Sequence, residues 1–164
     1  MKAIACWTLA GERAVKHNAN EEAIRHFRRA LDQLKKQPEN IEHRKAELKV
    51  LAKLGPALQA ARGFGAREVE GTYLRARELC EQVGDSVELF QALWGLWLYT
   101  GGGRGRFEAV RGIAEELVAL AERLNDRALR LEAHHAMTGT MLWIGEPEAA
   151  RRHGEQGTAL YDRE

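Results

Sequence analysis

Residues 2–34 read KAIACWTLAGERAVKHNANEEAIRHFRRALDQL, and two apolar stripes in this stretch decide the fold. The second half is the clearer. Ala23, Ile24, Phe27, Ala30, Leu31 and Leu34 recur at i, i+1, i+4, i+7, i+8 and i+11, one face of an α-helix. Glu21 and Glu22 occupy its first turn, where negative charge suits the helix dipole, and Asn18 or Asn20 is the expected cap. Gln37-Pro38-Glu39-Asn40 stops it. Residues 2–16 form a further helix, so the stretch predicts an antiparallel helix pair.

Gly11, in the first of these helices, opens a series. Gly55, Gly95 and Gly139 follow at intervals of 44, 40 and 44 residues, each inside an apolar stretch that reads as the first helix of a pair. A fixed period of a few tens of residues marks stacked helical hairpins, where each unit buries its apolar face against its neighbours. The units run over about 1–38, 41–84, 85–125 and 127–164, within one repeat domain spanning 1–164. The expected fold is all-α, a right-handed superhelix of about four antiparallel helix pairs.

The second unit begins with a helix of about 20 residues from Ile41, using Leu48, Leu51, Leu54 and Leu58. Gly55-Pro56 inside it predicts a kink, because proline removes a hydrogen bond and clashes with the preceding turn. A partner helix carries Val69, Tyr73, Ala76, Leu79 and Val83 and ends at Gly84. The third unit opens at Asp85 with Glu88 three residues on, a capping-box spacing. Its first helix, VELFQALWGLWLYT, is apolar nearly all round, which places it in the middle of a stack. The next carries Val110, Ile113, Leu117, Leu120 and Leu124. The fourth unit closes poorly. Gly154 and Gly157 fall where the repeat pattern wants a large residue and an alanine, at a propensity cost of roughly 1 kcal/mol each. No polar capping helix follows, which implies either a covering chain or a piece of a longer protein.

Trp7, Ala10, Gly11 and Ala14, followed by Ala23, Phe27 and Ala30, match the spacing of the tetratricopeptide repeat signature, and the first unit resembles that family. In that pattern small residues let two helices approach and aromatics fill the gaps; Ala14 stands where the family usually has tyrosine. A second resemblance covers nearly the whole chain from about Ala14. The segments GPALQAARGFGAREVEGTYLRARELCEQVGD, LFQALWGLWLYTGG, IAEELVALAERLND and EAHHAMTGTMLWIGEPEAARRHGEQGTALYD are similar to the helical-repeat region of large bacterial signalling proteins. Those proteins carry a predicted ATPase module, often behind an adenylate/guanylate cyclase domain. The chain has no phosphate-binding loop of the GxxxxGKS or GxxxxGKT type and no metal-binding aspartate pair in a βαβ setting. What the resemblance implies is therefore interaction and regulation, not the family's enzymatic activities.

Composition narrows the function class. A formal charge of +1 gives no general attraction to nucleic acid or anionic lipid. The charge is unevenly spread: residues 1–63 hold 13 Lys/Arg against 7 Asp/Glu, and residues 64–164 hold 12 against 17. This +6/−5 split is either scattered solvated charge or a device that orients a partner or a second copy. Cys6 and Cys80 fall in different units, too far apart to bridge, and fit a reducing cytosol. The opening MKAIACWTLAG mimics a secretion signal, but its apolar run is short and Glu12, Arg13 and Lys16 continue it as an amphipathic helix. No segment approaches the roughly 20 apolar residues that span a bilayer. The expected location is the cytoplasm.

Candidate sites are few. Gly101-Gly102-Gly103-Arg104-Gly105-Arg106 opens a helix, where free N–H groups with Arg104 and Arg106 could hold a phosphate or carboxylate; the competing reading is a plain helix–helix turn. Trp94, Trp97, Tyr99 and Trp143 form an aromatic set that either fills the core or offers Trp97 or Tyr99 as a peptide anchor in the concave groove. Side-chain exposure separates the two. His134 and His135 point about 100° apart on a helix and cannot share one ion, no zinc spacing occurs, and packing or a hydrogen bond across the fourth hairpin is the expected role of His134, His135 and His153. Arg25, Arg28, Arg29, Lys35 and Lys36 make a basic face without the aromatic interleaving that stacks bases. No nucleophile motif or carboxylate pair occurs, and Cys80 beside the apolar stripe should be inert.

The reading is a non-enzymatic module that binds a peptide or partner domain on its concave face, without cofactor, metal, nucleic acid or membrane. The alternatives are a regulatory fragment acting on a separate ATPase/cyclase chain, and a small-anion or ligand-binding helical module. A homodimer is a secondary expectation.

Overall fold

A computed structural model describes residues 2–63, 65–101 and 106–161. Eight α-helices and no strand occur among the described residues. They divide into two compact units, Met1–Gly84 and Asp85–Glu164, and the division in sequence falls between the second and third expected helix pairs. The first unit holds α1 (Lys2–Lys16), α2 (Asn20–Leu34), α3 (Ile41–Arg62) and α4 (Arg67–Val83). The second holds α5 (Val87–Gly101), α6 (Phe107–Leu124), α7 (Arg127–Trp143) and α8 (Pro147–Ala159). Within each unit every helix packs on the next, and the first helices of the two pairs also touch, α1 on α3 and α5 on α7. None of the described helices is long and apolar enough to cross a membrane.

In the first unit Ile24, Phe27, Leu34, Leu58, Val69, Tyr73 and Leu79 are all but fully buried. Each such large side chain removed from water contributes roughly 1.5–3 kcal/mol. The periodic glycines show how the pairs close. A Cβ on Gly11 would lie 2.5 Å from Phe27 Cε1, and one on Gly55 would lie 2.5 Å from Tyr73 Cε1. The ring of the second helix therefore sits flat on bare backbone of the first, in both pairs. Tyr73 completes its burial by donating its hydroxyl to Gln59 Oε1 at 3.0 Å, and burial pushes its phenol pKa well up.

Several helix ends differ from expectation. Ala19 occupies the N-cap of α2 with no side-chain cap, and neither Asn18 nor Asn20 caps it. Asn18 instead turns the chain out of α1 at φ 57°, a left-handed conformation that asparagine tolerates, and Ala19 N–H donates to Ala14 C=O at 2.9 Å. Asn125 does the same after α6 at φ 49°, which frees Asp126 to cap α7 by accepting from Leu129 N–H at 3.0 Å. The anticipated box of Asp85 and Glu88 is replaced by Ser86, whose Oγ accepts from Leu89 N–H at 3.2 Å. Asp85 is engaged by Arg123 at the end of α6, through Nε at 2.6 Å and a second N–H at 3.2 Å. That hydrogen bond holds the Asp85 carboxyl below its usual pKa. Asn40 caps α3 by accepting from His43 N–H at 2.9 Å, and α3 continues through Pro56 to Arg62 as one helix of 22 residues. Gly84 ends α4 at φ 99°, outside the range L side chains favour.

Candidate functional site

The second unit carries an aromatic surface and a groove, and both are built around α7. Its core joins Phe90, Leu93 and Trp97 of α5 to Leu117 and Leu120 of α6 and to Ala133, Ala136 and Met137 of α7. Trp97 is 3% exposed and Tyr99 2% exposed, so both serve as core and neither stands out as an anchor. The physical reason is that α5 is apolar on nearly every side and α6 and α7 both pack on it. Trp97 donates its indole N–H to Thr140 Oγ1 at 2.8 Å, and Thr140 in turn donates its hydroxyl to Ala136 C=O at 2.8 Å. Arg106 places its guanidinium 5.8 Å from the centre of the Tyr99 ring. Arg104 and the rest of residues 102–105 of the candidate anion loop lie outside the described residues.

Over buried Trp97 lies a layer that water does reach. Trp143 stacks on Trp97 with centroids 5.2 Å apart and planes 21° apart, and is itself 45% exposed. Half-buried Trp94 stands 5.1 Å from Trp97, and exposed His135 lies 5.9 Å from Trp94. A Cβ on Gly101 would overlap the Trp143 ring, and one on Gly139 would come 3.3 Å from Trp97 Cζ2. The fourth periodic glycine thus serves a different contact from the first two. It makes room for a ring of α5, not for one from its own hairpin partner α8.

α8 brings no such ring. Where α2 and α4 present Phe27 and Tyr73, α8 presents Gly154 and Gly157, and a Cβ on Gly157 would lie 3.4 Å from the His134 Cβ. The missing bulk leaves an open groove of about 390 Å³ between α7 and α8, bordered by Leu131, His134, Thr138, His153 and Tyr161. Inside it His134 Nδ1 and His153 Nδ1 approach to 3.1 Å, with ring centroids 5.4 Å apart. Burial chiefly lowers the His134 pKa, with the His153 and Arg130 charges adding to it and Glu122 opposing. Burial also lowers that of His153, helped by Arg152. His134 and His135 diverge as adjacent helical residues must, one toward α8 and the other toward α5.

The basic face of α2 is partly neutralised within the first unit. Arg28 pairs with Glu68 of α4, Arg29 lies 4.8 Å over the Trp7 ring, and Lys35 stands 3.5 Å from Asp32. Cys80 is buried and Cys6 exposed. Among the described residues no group of three or more His, Cys, Asp and Glu is placed to hold a metal. Comparison with protein-family models, with curated proteins and with solved structures found no match to this chain.

Proposed function

We propose that the chain is a non-enzymatic interaction module of tetratricopeptide type, acting in the cytoplasm. In this reading its four helix pairs continue one another as a right-handed superhelix, and the first helices of the pairs receive a peptide or partner domain. The observation that carries it is the aromatic surface of α5 and α7. Trp94, His135 and Trp143 lie together there, half-buried or exposed, on a rigid base of Trp97 hydrogen-bonded to Thr140. Amphipathic rings that need little ordering are what dominate binding hot spots. The contact of α5 with α7, and of α1 with α3, further supports a face made from first helices.

The test is identification of co-purifying proteins by mass spectrometry, followed by affinity measurement with Trp143→Ala, in which Trp97 retains its hydrogen-bond partner Thr140. A hot-spot role predicts at least a tenfold loss, about 1.4 kcal/mol or more. Affinity unchanged in Trp143→Ala, or isolation of a tight small-molecule complex with no protein ligand, counts against the proposal.

A further inference from the structure

We propose that His134 and His153 form a two-donor site for a borderline divalent transition metal, Zn²⁺, Ni²⁺ or Cu²⁺, in the groove between α7 and α8. The geometry points there first. Two nitrogens bound to one such ion at about 2.0–2.1 Å sit roughly 2.9 Å apart at a right angle and 3.4 Å apart at the tetrahedral angle. The two Nδ1 atoms, held on facing helices, are 3.1 Å apart, within that interval. Without metal the same spacing is spanned by one ring donating its Nδ1–H to the other. Metal uptake needs this ring to move its proton to Nε2 and both rings to turn, so that the two Nδ1 lone pairs converge on an ion beside the line joining them.

The surroundings fit. Both imidazoles are half-buried and line the groove together. Gly154 and Gly157 carry no side chain into the groove, and open volume beside the rings leaves the remaining positions to water or an exogenous ligand. Imidazole donors favour Zn²⁺, Cu²⁺ and Ni²⁺, whereas Mg²⁺ and Ca²⁺ require oxygen cages. With only two protein donors the bound ion is exchangeable and coordinatively open. It is not a structural zinc.

The experiment is calorimetric titration of the full chain with Zn²⁺, and separately with Ni²⁺, after chelator treatment. The site predicts one ion per chain, with affinity falling at least tenfold in His134→Ala and in His153→Ala but retained in His135→Ala. Equal affinity in His153→Ala, or equal loss in His135→Ala, overturns it. Because α7 variants can disturb the core, the unsubstituted protein supplies a second measurement. On adding Zn²⁺ the imidazole Cε1–H resonances of His134 and His153 should shift first. Prior shifts of His17, His26, His43 or His135, or no shift at all, refute the site.

Discussion

Glycines in one helical sequence do opposite work depending on what faces them. Gly11 and Gly55 lie under Phe27 and Tyr73, whereas Gly71 in α4 and Gly112 in α6 have nothing within 4 Å of a built Cβ. Gly11→Ala and Gly55→Ala should each lose about 1–3 kcal/mol by overpacking, while Gly71→Ala and Gly112→Ala should gain about 0.5–1 kcal/mol of helix propensity. Urea midpoints of the four variants decide it; a Gly11→Ala protein as stable as Gly71→Ala would show that the ring does not pack on the backbone. Thr140 makes a comparable case for a single hydroxyl. Thr140→Val leaves the buried Trp97 N–H without its acceptor and should cost about 1–3 kcal/mol. The control is Thr158→Val on exposed α8, whose hydroxyl bonds only within its own helix; a melting temperature lowered equally by both would remove the special role of Thr140.

At the scale of helices, α8 is the weak element. Ala150 is its one buried residue among those described, two glycines interrupt it, and its ring contact with α7 is the half-buried pair of His153 with His134, not a buried aromatic like Phe27 or Tyr73. Its amides should exchange faster than those of α6 and α7, a comparison that native-state hydrogen exchange makes directly. The His134–His153 contact adds a pH dependence to this hairpin. Both folded-state pKa values are lowered, so the neutral pair is favoured by the fold and its stability is fully present above the unfolded value of about 6.5. As pH falls below that value the unfolded chain takes up protons more readily, and stability is lost until the folded pair also protonates. Glu122, which faces His134 from α6, moderates the effect, and Arg130 and Arg152 strengthen it. Thermal melts in chelator between pH 7.5 and 5 should show a decline that His153→Ala reduces; parallel curves for the two proteins would exclude the pair as its source.

At the scale of the whole molecule, each unit has its own core and its own sequence of helix contacts. A chain of residues 85–164 alone should therefore keep helical circular dichroism and a cooperative melt, and loss of both would show that the units depend on each other. Self-association remains the secondary expectation for the intact protein. Exposed Leu142, at 59%, beside Pro147 supplies an apolar patch for it. Light scattering that reports a monomer across micromolar concentrations rejects that expectation.

Much of the fold could be read directly from the residues. The stripe from Ala23 to Leu34, the stop before Asn40, the end of α4 at Gly84 and the buried character of α5 all follow from local periodicity and turn chemistry, which act over a few residues. Local rules fail where side chains have competing partners. Asp85 has the chemistry of a cap but is taken by Arg123, which lies 38 residues away, and Ser86 takes the cap instead. The apolar sequence of α5 makes it a buried helix, but that Trp97 and Tyr99 both fall on its covered sides is decided by the packing of α6 and α7 on it. The histidine pair is the extreme case. Its members stand 19 residues apart on two helices, and their separation depends on how closely Gly157 lets α8 approach the backbone of α7. Helices arise from short-range periodicity, so the chain announces them; a site assembled across two helices exists only once their spacing is set.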